Sequence, residues 1–289
     1  MVLDRKEPMT NKTILEFRQV GFSYEDTPFA LQDLSLFVNE REKIAVLGNN
    51  GAGKSTFFLL CNGVLRPHSG EIFYRGAAVR SSKKDLTRLR EKVGIVFQDP
   101  NQQLIGSTVE GEVSFGPMNL KLERDEVALR IQEALSAMEL EGCRERPPHY
   151  LSGGEKKRVS IADVLAMRPE VILMDEPTAS LDPAGVDMLK DVLARLEAQG
   201  KTLLISTHDI DFAWSWAERV LVFTQGRLAA DAPPEEIFAD EALLSRAGLR
   251  RPHLYDAALI LKEQGLLSKA DGWPRTAQDL KKMLKSKRS

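Results

Sequence analysis

A glycine-rich segment, GNNGAGKST at residues 48–56, follows directly after the apolar run KIAVL. It fits the pattern G-x-x-x-x-G-K-[ST], in which glycines let backbone amides turn inward and surround phosphate oxygens. A strand-like run precedes the segment and a helix-like run follows it, which is the context that this pattern requires. We predict that the segment binds the phosphate tail of a nucleotide, with Lys54 on the outer phosphates and Ser55 on Mg²⁺. The residues concerned are Gly48, Asn49, Asn50, Gly51, Ala52, Gly53, Lys54, Ser55 and Thr56.

Two adjacent acids, Asp175 and Glu176, stand at the end of the apolar run VILMD. Open α/β sheets bind their ligands at the carboxyl ends of their strands, so an aspartate there can hold Mg²⁺ through its hydration shell. Glu176 would then face the terminal phosphate and act as the base that orients and polarises an attacking water molecule. Without a phosphate loop the pair would read as two solvated acids. With one, it predicts hydrolysis as well as binding.

Two further polar residues, Gln98 and His208, follow the apolar runs VGIVF and TLLIST. The imidazole of His208 could hydrogen-bond the terminal phosphate and fix the water molecule. Gln98 offers a neutral amide to the water molecule and to Mg²⁺. Taken alone, each residue also fits a purely structural side chain at a strand end.

The octapeptide LSGGEKKR, residues 151–158, places a serine and two glycines ahead of a helical pattern. A helix N-terminus of this kind carries partial positive charge and free amides, which favours a second anion-binding site. The alternative is a glycine-containing turn that caps an ordinary helix. The residues alone leave both possibilities open.

The apolar runs at residues 43–47, 93–98, 171–175 and 202–207 are short, apolar on both faces and far apart, which predicts buried parallel strands. Earlier in the chain, ILEFRQVGFSY and LQDLSLFVNE alternate in polarity and predict an antiparallel pair. We therefore predict an α/β fold with a parallel core sheet and an antiparallel β subdomain.

A helical insertion is predicted at about residues 99–168, because the segment 123–140 has an apolar stripe with helical spacing. Its members are Val127, Ile131, Ala134, Leu135 and Met138. Past Gln225 the pattern indicates short helices, one of which opens with a capping box formed by Thr276 and Asp279. We predict a domain at 13–231 and a small C-terminal helical extension at 232–289.

Composition narrows the classes of function. The net charge of −2 gives the chain no electrostatic reason to coat nucleic acid. Cys61 and Cys143 stand apart without metal-ligand spacing, which predicts reduced thiols in an intracellular protein. No segment reaches the ~18 consecutive apolar residues of a membrane helix, and the polar start MVLDRKEPMTNK does not fit a signal peptide.

Together these motifs resemble the ATP-binding cassette (ABC) family of ATPases over residues 13 to about 235. GNNGAGKST, Gln98, LSGGEKKR, VILMDEP, ASLD and His208 stand in the order typical of that family. The resemblance implies a P-loop NTPase fold, ATP and Mg²⁺ as cofactors, and hydrolysis of ATP to ADP and phosphate. Ser55, Gln98 and Asp175 would be the residues at Mg²⁺, and Glu176, His208 and Gln98 the catalytic ones.

The resemblance also implies a second ABC ATPase subunit, either another copy or a paralogue. In the family, two ATP molecules lie between two cassettes. Ser152, Gly153 and Gly154 would contact the terminal phosphate bound by the partner, and Asp182 of ASLD would lie across the dimer contact. Tyr24 matches the aromatic residue that stacks on adenine, although a strand tyrosine is often a packing residue.

A finer likeness covers FQDPNQQLIGSTVEGEVSFGPMNLKL at residues 97–122, which is similar to the ATPases of energy-coupling-factor importers, closest to those for cobalt and nickel. Asn101, Gln102 and Gly111 depart from that pattern, since acids are common at these positions. Vitamin importers of the same group share much of this segment. Cobalt or nickel is therefore the predicted cargo, with a vitamin as the alternative.

The importer resemblance implies membrane-embedded subunits that dock around residues 98–116 and recognise the cargo. The chain would then lie at the cytoplasmic face of the cell membrane and bind no nucleic acid. We also expect it to bind no cargo directly, since its histidines are scattered along the sequence. One alternative is a soluble ABC ATPase acting on nucleic acid or ribosomes. The lack of sustained heptads and the single set of motifs disfavour it. Another alternative is a regulatory protein without ATPase activity. It would require that a catalytic group is missing, and none of the groups named above is missing.

Overall fold

Two sheets carry the strands of the structure, which is a computed structural model that describes residues 12–25, 27–268 and 271–286. Most of the polar start of the chain lies outside these ranges. The strands are β1 (Thr13–Tyr24), β2 (Thr27–Asn39), β3 (Lys43–Leu47), β4 (Ser69–Tyr74), β5 (Ala77–Ala78), β6 (Val93–Val96), β7 (Val171–Asp175), β8 (Thr202–Ser206), β9 (Arg219–Thr224) and β10 (Arg227–Ala232).

The larger sheet has the strand order β10-β9-β3-β8-β7-β6. The four apolar runs predicted to be buried parallel strands are β3, β6, β7 and β8, and their parallel pairing confirms that prediction. Every residue of β7 and β8 is buried, because helices cover both faces of a parallel sheet. The strands β3, β7 and β8 end side by side, and each is followed by predicted site residues.

The prediction that only helices follow Gln225 is wrong at its start, because β10 pairs antiparallel with β9. Gln225 and Gly226, which join the two strands, both have positive φ values of 47° and 73°. That backbone is the one a two-residue hairpin turn needs, since its twist matches the twist of the strands. The dipeptide Gln225-Gly226 is thus a turn signal that the helical pattern did not include.

The smaller sheet is antiparallel, with the strand order β2-β1-β4-β5. Its β1–β2 pair confirms the predicted antiparallel pair, whereas β4 and β5 were not predicted. Aromatic packing joins it to the phosphate-loop region: the rings of Phe17 and Phe57 lie 5.3 Å apart, and those of Phe57 and Phe223 5.4 Å apart. The small sheet thus supports the helix that follows the phosphate loop.

Helices cover both sheets and form the segment between β6 and β7. The α-helices are α1 (Lys54–Cys61), α2 (Lys83–Lys92), α3 (Val109–Asn119), α4 (Arg124–Ala137), α5 (Gly153–Ala166), α6 (Pro183–Ala198), α7 (Ile210–Trp216), α8 (Pro234–Ala239), α9 (Glu241–Ala247), α10 (His253–Glu263) and α11 (Ala277–Ser286). Short 3₁₀ turns lie at Pro100–Gln102, Glu141–Cys143 and Pro148–Tyr150. Within the described ranges no helix is both long and apolar enough to cross a bilayer.

The predicted apolar stripe of α4 faces the core, where Ile131, Ala134, Leu135 and Met138 are buried. They pack against α3, α5 and the sheet in one hydrophobic cluster. Near the C-terminus, Asp279 accepts the backbone N–H of Thr276 at 2.9 Å and donates its own backbone N–H to the Thr276 hydroxyl at 3.1 Å, as the capping box predicts. The predicted boundaries at 13–231, 99–168 and 232–289 stay predictions.

Candidate functional site

The phosphate loop runs from the end of β3 into α1 in a conformation that requires glycine. Gly48 has a φ of +144°, and a Cβ atom placed on it would lie 2.3 Å from the carbonyl oxygen of Phe223. The buried Lys54 folds back over the loop, and its Nζ donates to the carbonyl oxygens of Gly48 at 2.7 Å and of Asn49 at 3.2 Å. Burial lowers the pKa of Lys54, and the carboxylates of Glu176 and Asp175 oppose that shift.

A cavity of about 530 Å³ lies above the loop and brings most of the predicted site residues together. They come from the loop itself and from the ends of four strands. Its lining comprises Tyr24, Ala30, Asn49, Asn50, Gly51, Ala52, Gly53, Lys54, Ser55, Thr56, Gln98, Asp175, Glu176 and His208. The convergence follows from the sheet order, because β3, β8, β7 and β6 are neighbours and end at the same edge.

Glu176 and His208 form a close pair in this cavity. The Oε1 atom of Glu176 lies 3.2 Å from Nε2 of His208, and the His208 backbone N–H donates to Oε2 at 3.3 Å. Oε1 is buried, yet no group in the described ranges meets it in hydrogen-bond alignment. Burial raises the pKa of Glu176, while His208 and Lys54 act in the opposite direction. An orphaned, buried carboxylate oxygen beside a phosphate loop suits a base that receives a water molecule.

Ser206, at the end of β8, positions both acids and was missed by the sequence analysis. Its hydroxyl donates to Oδ1 of Asp175 and accepts the backbone N–H of Glu176 at 3.1 Å. The cause is the parallel register, in which Asp175 and Ser206 are direct partners. In the sequence, Ser206 is a hydroxyl residue at the end of an apolar run, two positions before His208. Only the pairing of β8 with β7 shows that this hydroxyl lies beside Asp175.

Ser55, Gln98 and Asp175 offer the oxygen atoms that Mg²⁺ prefers, and all three line both this cavity and a neighbouring one of about 360 Å³. A hydroxyl, an amide and a carboxylate from three separate elements thus face one region. This donor set fits a Mg²⁺ ion held partly through water. In the described ranges, no group of three or more His, Cys, Asp or Glu side chains is arranged to hold a metal ion.

Tyr24 lies at the rim of the cavity and is 43% exposed. Its hydroxyl is 3.3 Å from the hydroxyl of Thr56, and its ring meets the ring of Phe22 edge-on at 4.9 Å. The hydroxyl therefore ties this partly exposed residue to the phosphate loop. The role of Tyr24 beside adenine stays a prediction.

The residues of LSGGEKKR do not join the phosphate loop within this chain. Ser152 and Gly154 line a second cavity of about 970 Å³ together with Asp182. Ser152 caps α5 in a reciprocal capping box, since the Glu155 backbone donates to its hydroxyl at 3.2 Å and its own backbone N–H donates to Glu155 at 2.8 Å. Asp182 caps α6 by accepting the backbone N–H of Gly185 at 2.8 Å. Two capped helix starts thus face a polar opening.

Lys157 is a second buried lysine that the sequence analysis did not single out. Its Nζ donates to the carbonyl oxygens of Phe97 at 2.8 Å, Gln98 at 2.9 Å and Asp175 at 3.4 Å. Burial lowers its pKa to about 8, with the carboxylates of Asp175, Glu176 and Asp99 opposing the shift. This lysine connects α5 to the ends of β6 and β7.

The fold and the site together define a phosphate-loop nucleotide-binding protein in which two acids and a histidine line one cavity with the loop. A family model described as ABC transporter matches residues 31–179. The chain belongs to the ABC transporter family, as one of its ATP-binding proteins. Its fold is accordingly the P-loop ABC nucleotide-binding domain, and it binds ATP.

Two curated relatives and one solved structure are particularly similar. The chain is 44% identical to the energy-coupling factor transporter ATP-binding protein EcfA2 of Methanospirillum hungatei over 268 residues, 92% of this chain and 67% of that protein. It is 45% identical to the cobalt import ATP-binding protein CbiO of Rhodobacter capsulatus over 267 residues, 92% of this chain and 95% of that protein. The structure of cbiO1 from Clostridium perfringens, described as part of the ABC transporter complex cbiONQ, has a TM-score of 0.71 at 38% identity, covering 87% of this chain and 99% of that one.

Proposed function

We propose that the chain is the ATP-hydrolysing motor subunit of an energy-coupling-factor importer that takes up cobalt. The observation that carries the proposal is the single cavity in which Lys54, Glu176 and His208 surround the place where a terminal phosphate would lie. The names of the relatives, a cobalt import protein among them, support the choice of transporter and of cargo. The reaction is hydrolysis of ATP by water to ADP and phosphate.

Six residues that line the cavity have a part in this reaction. Lys54, freed from the carbonyl oxygens that it now contacts, binds the outer phosphates of ATP. Glu176 receives the proton of the attacking water molecule on its orphaned Oε1 atom, and His208 holds the terminal phosphate in line. Ser55, Gln98 and Asp175 would hold Mg²⁺, which neutralises charge on the phosphates when bound.

The site requires a second cassette. Ser152, Gly154 and Asp182 face a different cavity from the phosphate loop, so one chain cannot bring both sets of residues to one nucleotide. Two chains arranged head to tail can do so, since each then supplies Ser152, Gly153 and Gly154 to the terminal phosphate held by its partner. The partner is a second copy or a similar ATPase.

The helical insertion offers the surface for a membrane-embedded subunit. Ile105, Phe115 and Met118 are large apolar residues with exposed fractions of 78%, 58% and 64%. The neighbouring cavity, which is lined by Phe97, Gln98 and the exposed Val64, adds further apolar surface beside Gln98. An apolar helix of a transport subunit that docks here would sense the position of Gln98, and through it the state of the nucleotide. The chain would then lie at the cytoplasmic face of the membrane.

Purification from native membranes in a mild detergent, with the subunits identified by mass spectrometry, tests this proposal. We expect the chain to come with a second ATPase subunit and with transport subunits, one of which binds cobalt. A vitamin-binding subunit would keep the importer and change the cargo. Recovery only from ribosomes or DNA would overturn the importer assignment.

A further inference from the structure

Lys157 is fully buried, and the binding of ATP does not explain why a lysine stands there. It lies in the second turn of α5 with none of its surface exposed. Lysine is almost never fully buried unless its charge is compensated, because desolvation of an ammonium is costly. Apolar packing alone would favour an aliphatic residue here.

The contacts of Lys157 are specific. An ammonium has three N–H donors, and here they meet three backbone carbonyl oxygens, those of Phe97, Gln98 and Asp175. The first two carbonyls lie where β6 leaves the sheet, and the third belongs to the last residue of β7. All three donors therefore hold the ends of two strands.

We propose that Lys157 is a positioning residue, which holds Gln98 and Asp175 in register with the helix that begins at Ser152. The reason is geometric. Fixing the carbonyls of Gln98 and Asp175 to one atom fixes the backbone from which both side chains reach toward the cavity. Ser152 and Gly154 lie at the start of α5, and the proposed function assigns them to the nucleotide of a partner. The Nζ atom of Lys157 therefore links them with Gln98 and Asp175, which face the nucleotide of the chain itself.

This inference rests on the proposed function for its catalytic consequence, but not for its structural one. If Lys157 holds the backbone at Gln98, its loss loosens the 3₁₀ turn that follows, where the amides of Gln102 and Gln103 donate to Asp99 and Pro100 at 3.1 and 3.0 Å. That effect is present without nucleotide. It can be measured by hydrogen exchange whether or not the chain hydrolyses ATP.

The test compares the full-length chain with Lys157→Met, which keeps the length of the side chain and removes its donors, and Lys157→Gln, which keeps an N–H donor group. Val159→Ala is the matched control, since it removes packing from the same buried helix without touching the carbonyls. We expect Lys157→Met to lower kcat for MgATP by at least about tenfold while ATP affinity changes less than about twofold, with Lys157→Gln in between. Exchange of the amides at 101–104 should accelerate in Lys157→Met and not in Val159→Ala.

Two results would overturn the inference. One is unchanged exchange at 101–104 in Lys157→Met, and the other is a loss of kcat no larger than the loss in the number of ATP molecules bound per chain, as a smaller fraction of folded protein would give. Faster exchange at 101–104 in a preparation whose wild type does not hydrolyse ATP would contradict the proposed function and leave the positioning role supported.

Discussion

At the scale of single residues, three polar side chains anchor the segment between Gln98 and α3. Glu112 is buried and accepts the backbone N–H groups of Ile105, at 2.8 Å, and of Gly106. Gln103 donates to the Asp163 carboxylate at 3.0 Å and accepts the Phe97 backbone N–H at 3.2 Å. Burial raises the pKa of Asp163 to about 6, with Gln103 opposing the shift and Glu112 adding to it. This anchoring holds Ile105 out toward solvent.

The raised pKa makes the Asp163 carboxylate a cost to stability at neutral pH. Folding disfavours its charged form, so the free energy of unfolding falls as the pH rises from about 4, where the unfolded chain ionises, to about 6, and stays lower above that. Asp163→Asn keeps an oxygen for Gln103 and removes the charge. We expect it to be more stable than wild type by roughly 1–3 kcal/mol at pH 7.5, with the difference vanishing near pH 4. Urea unfolding across this pH range measures it, and a difference independent of pH would contradict the account.

The sequence predicted the residues that meet in the candidate site better than those that hold them in place. Asp175, Glu176 and His208 follow apolar runs, so their position at a strand end could be predicted from local pattern. Ser206 and Lys157 act through contacts with residues 31 and 59 positions away, respectively. Local patterns carry no information about such contacts until the strand order is known.

At the scale of elements, the C-terminal helices pack against Trp214 of α7. Trp214 of α7, 1% exposed, meets the rings of Phe238 and Tyr255 edge-on, and its indole N–H donates to the carbonyl oxygen of Pro274 at 2.9 Å. The helix that follows His208 is thus covered by α8, α10 and the segment before α11. The helical pattern of the sequence predicted that helices exist here, but not the surface they would cover.

The end of α9 contacts the phosphate loop. Gly248, which ends α9 with a φ of +63°, has the Asn49 side chain so close that a Cβ atom would lie 2.5 Å from Nδ2. We expect Gly248→Ala to lose about 1 kcal/mol of stability to backbone strain and to weaken ATP binding several-fold by displacing Asn49. Titration calorimetry with ATP measures the second effect.

Gly265→Ala is the matched control for this prediction. Gly265 has a φ of +72°, so alanine meets a similar backbone strain there, but nothing lies within 4 Å of the added Cβ atom. It should lose stability to a similar extent and keep its ATP affinity. Equal ATP affinities in the two variants would show that the contact with Asn49 does not affect the nucleotide site.

At the scale of the whole molecule, the proposed function divides the nucleotide site between two surfaces. The phosphate loop, the acids and His208 line one cavity, while Ser152, Gly154 and Asp182 line another. The family resemblance in the sequence implied this division, and in the structure the start of α5 and the phosphate loop line different cavities. Under the proposed function, a single chain carries two halves of different sites, and a pair of chains would carry two complete ones.

Sedimentation velocity of the Glu176→Gln variant with MgATP tests this claim most directly. Without its base the variant should bind ATP with normal affinity, release almost no phosphate and accumulate as a dimer that retains two ATP molecules, whereas ADP should leave it monomeric. A variant that stays monomeric in saturating ATP, beside a wild-type chain that hydrolyses ATP at full rate as a monomer, would contradict the account.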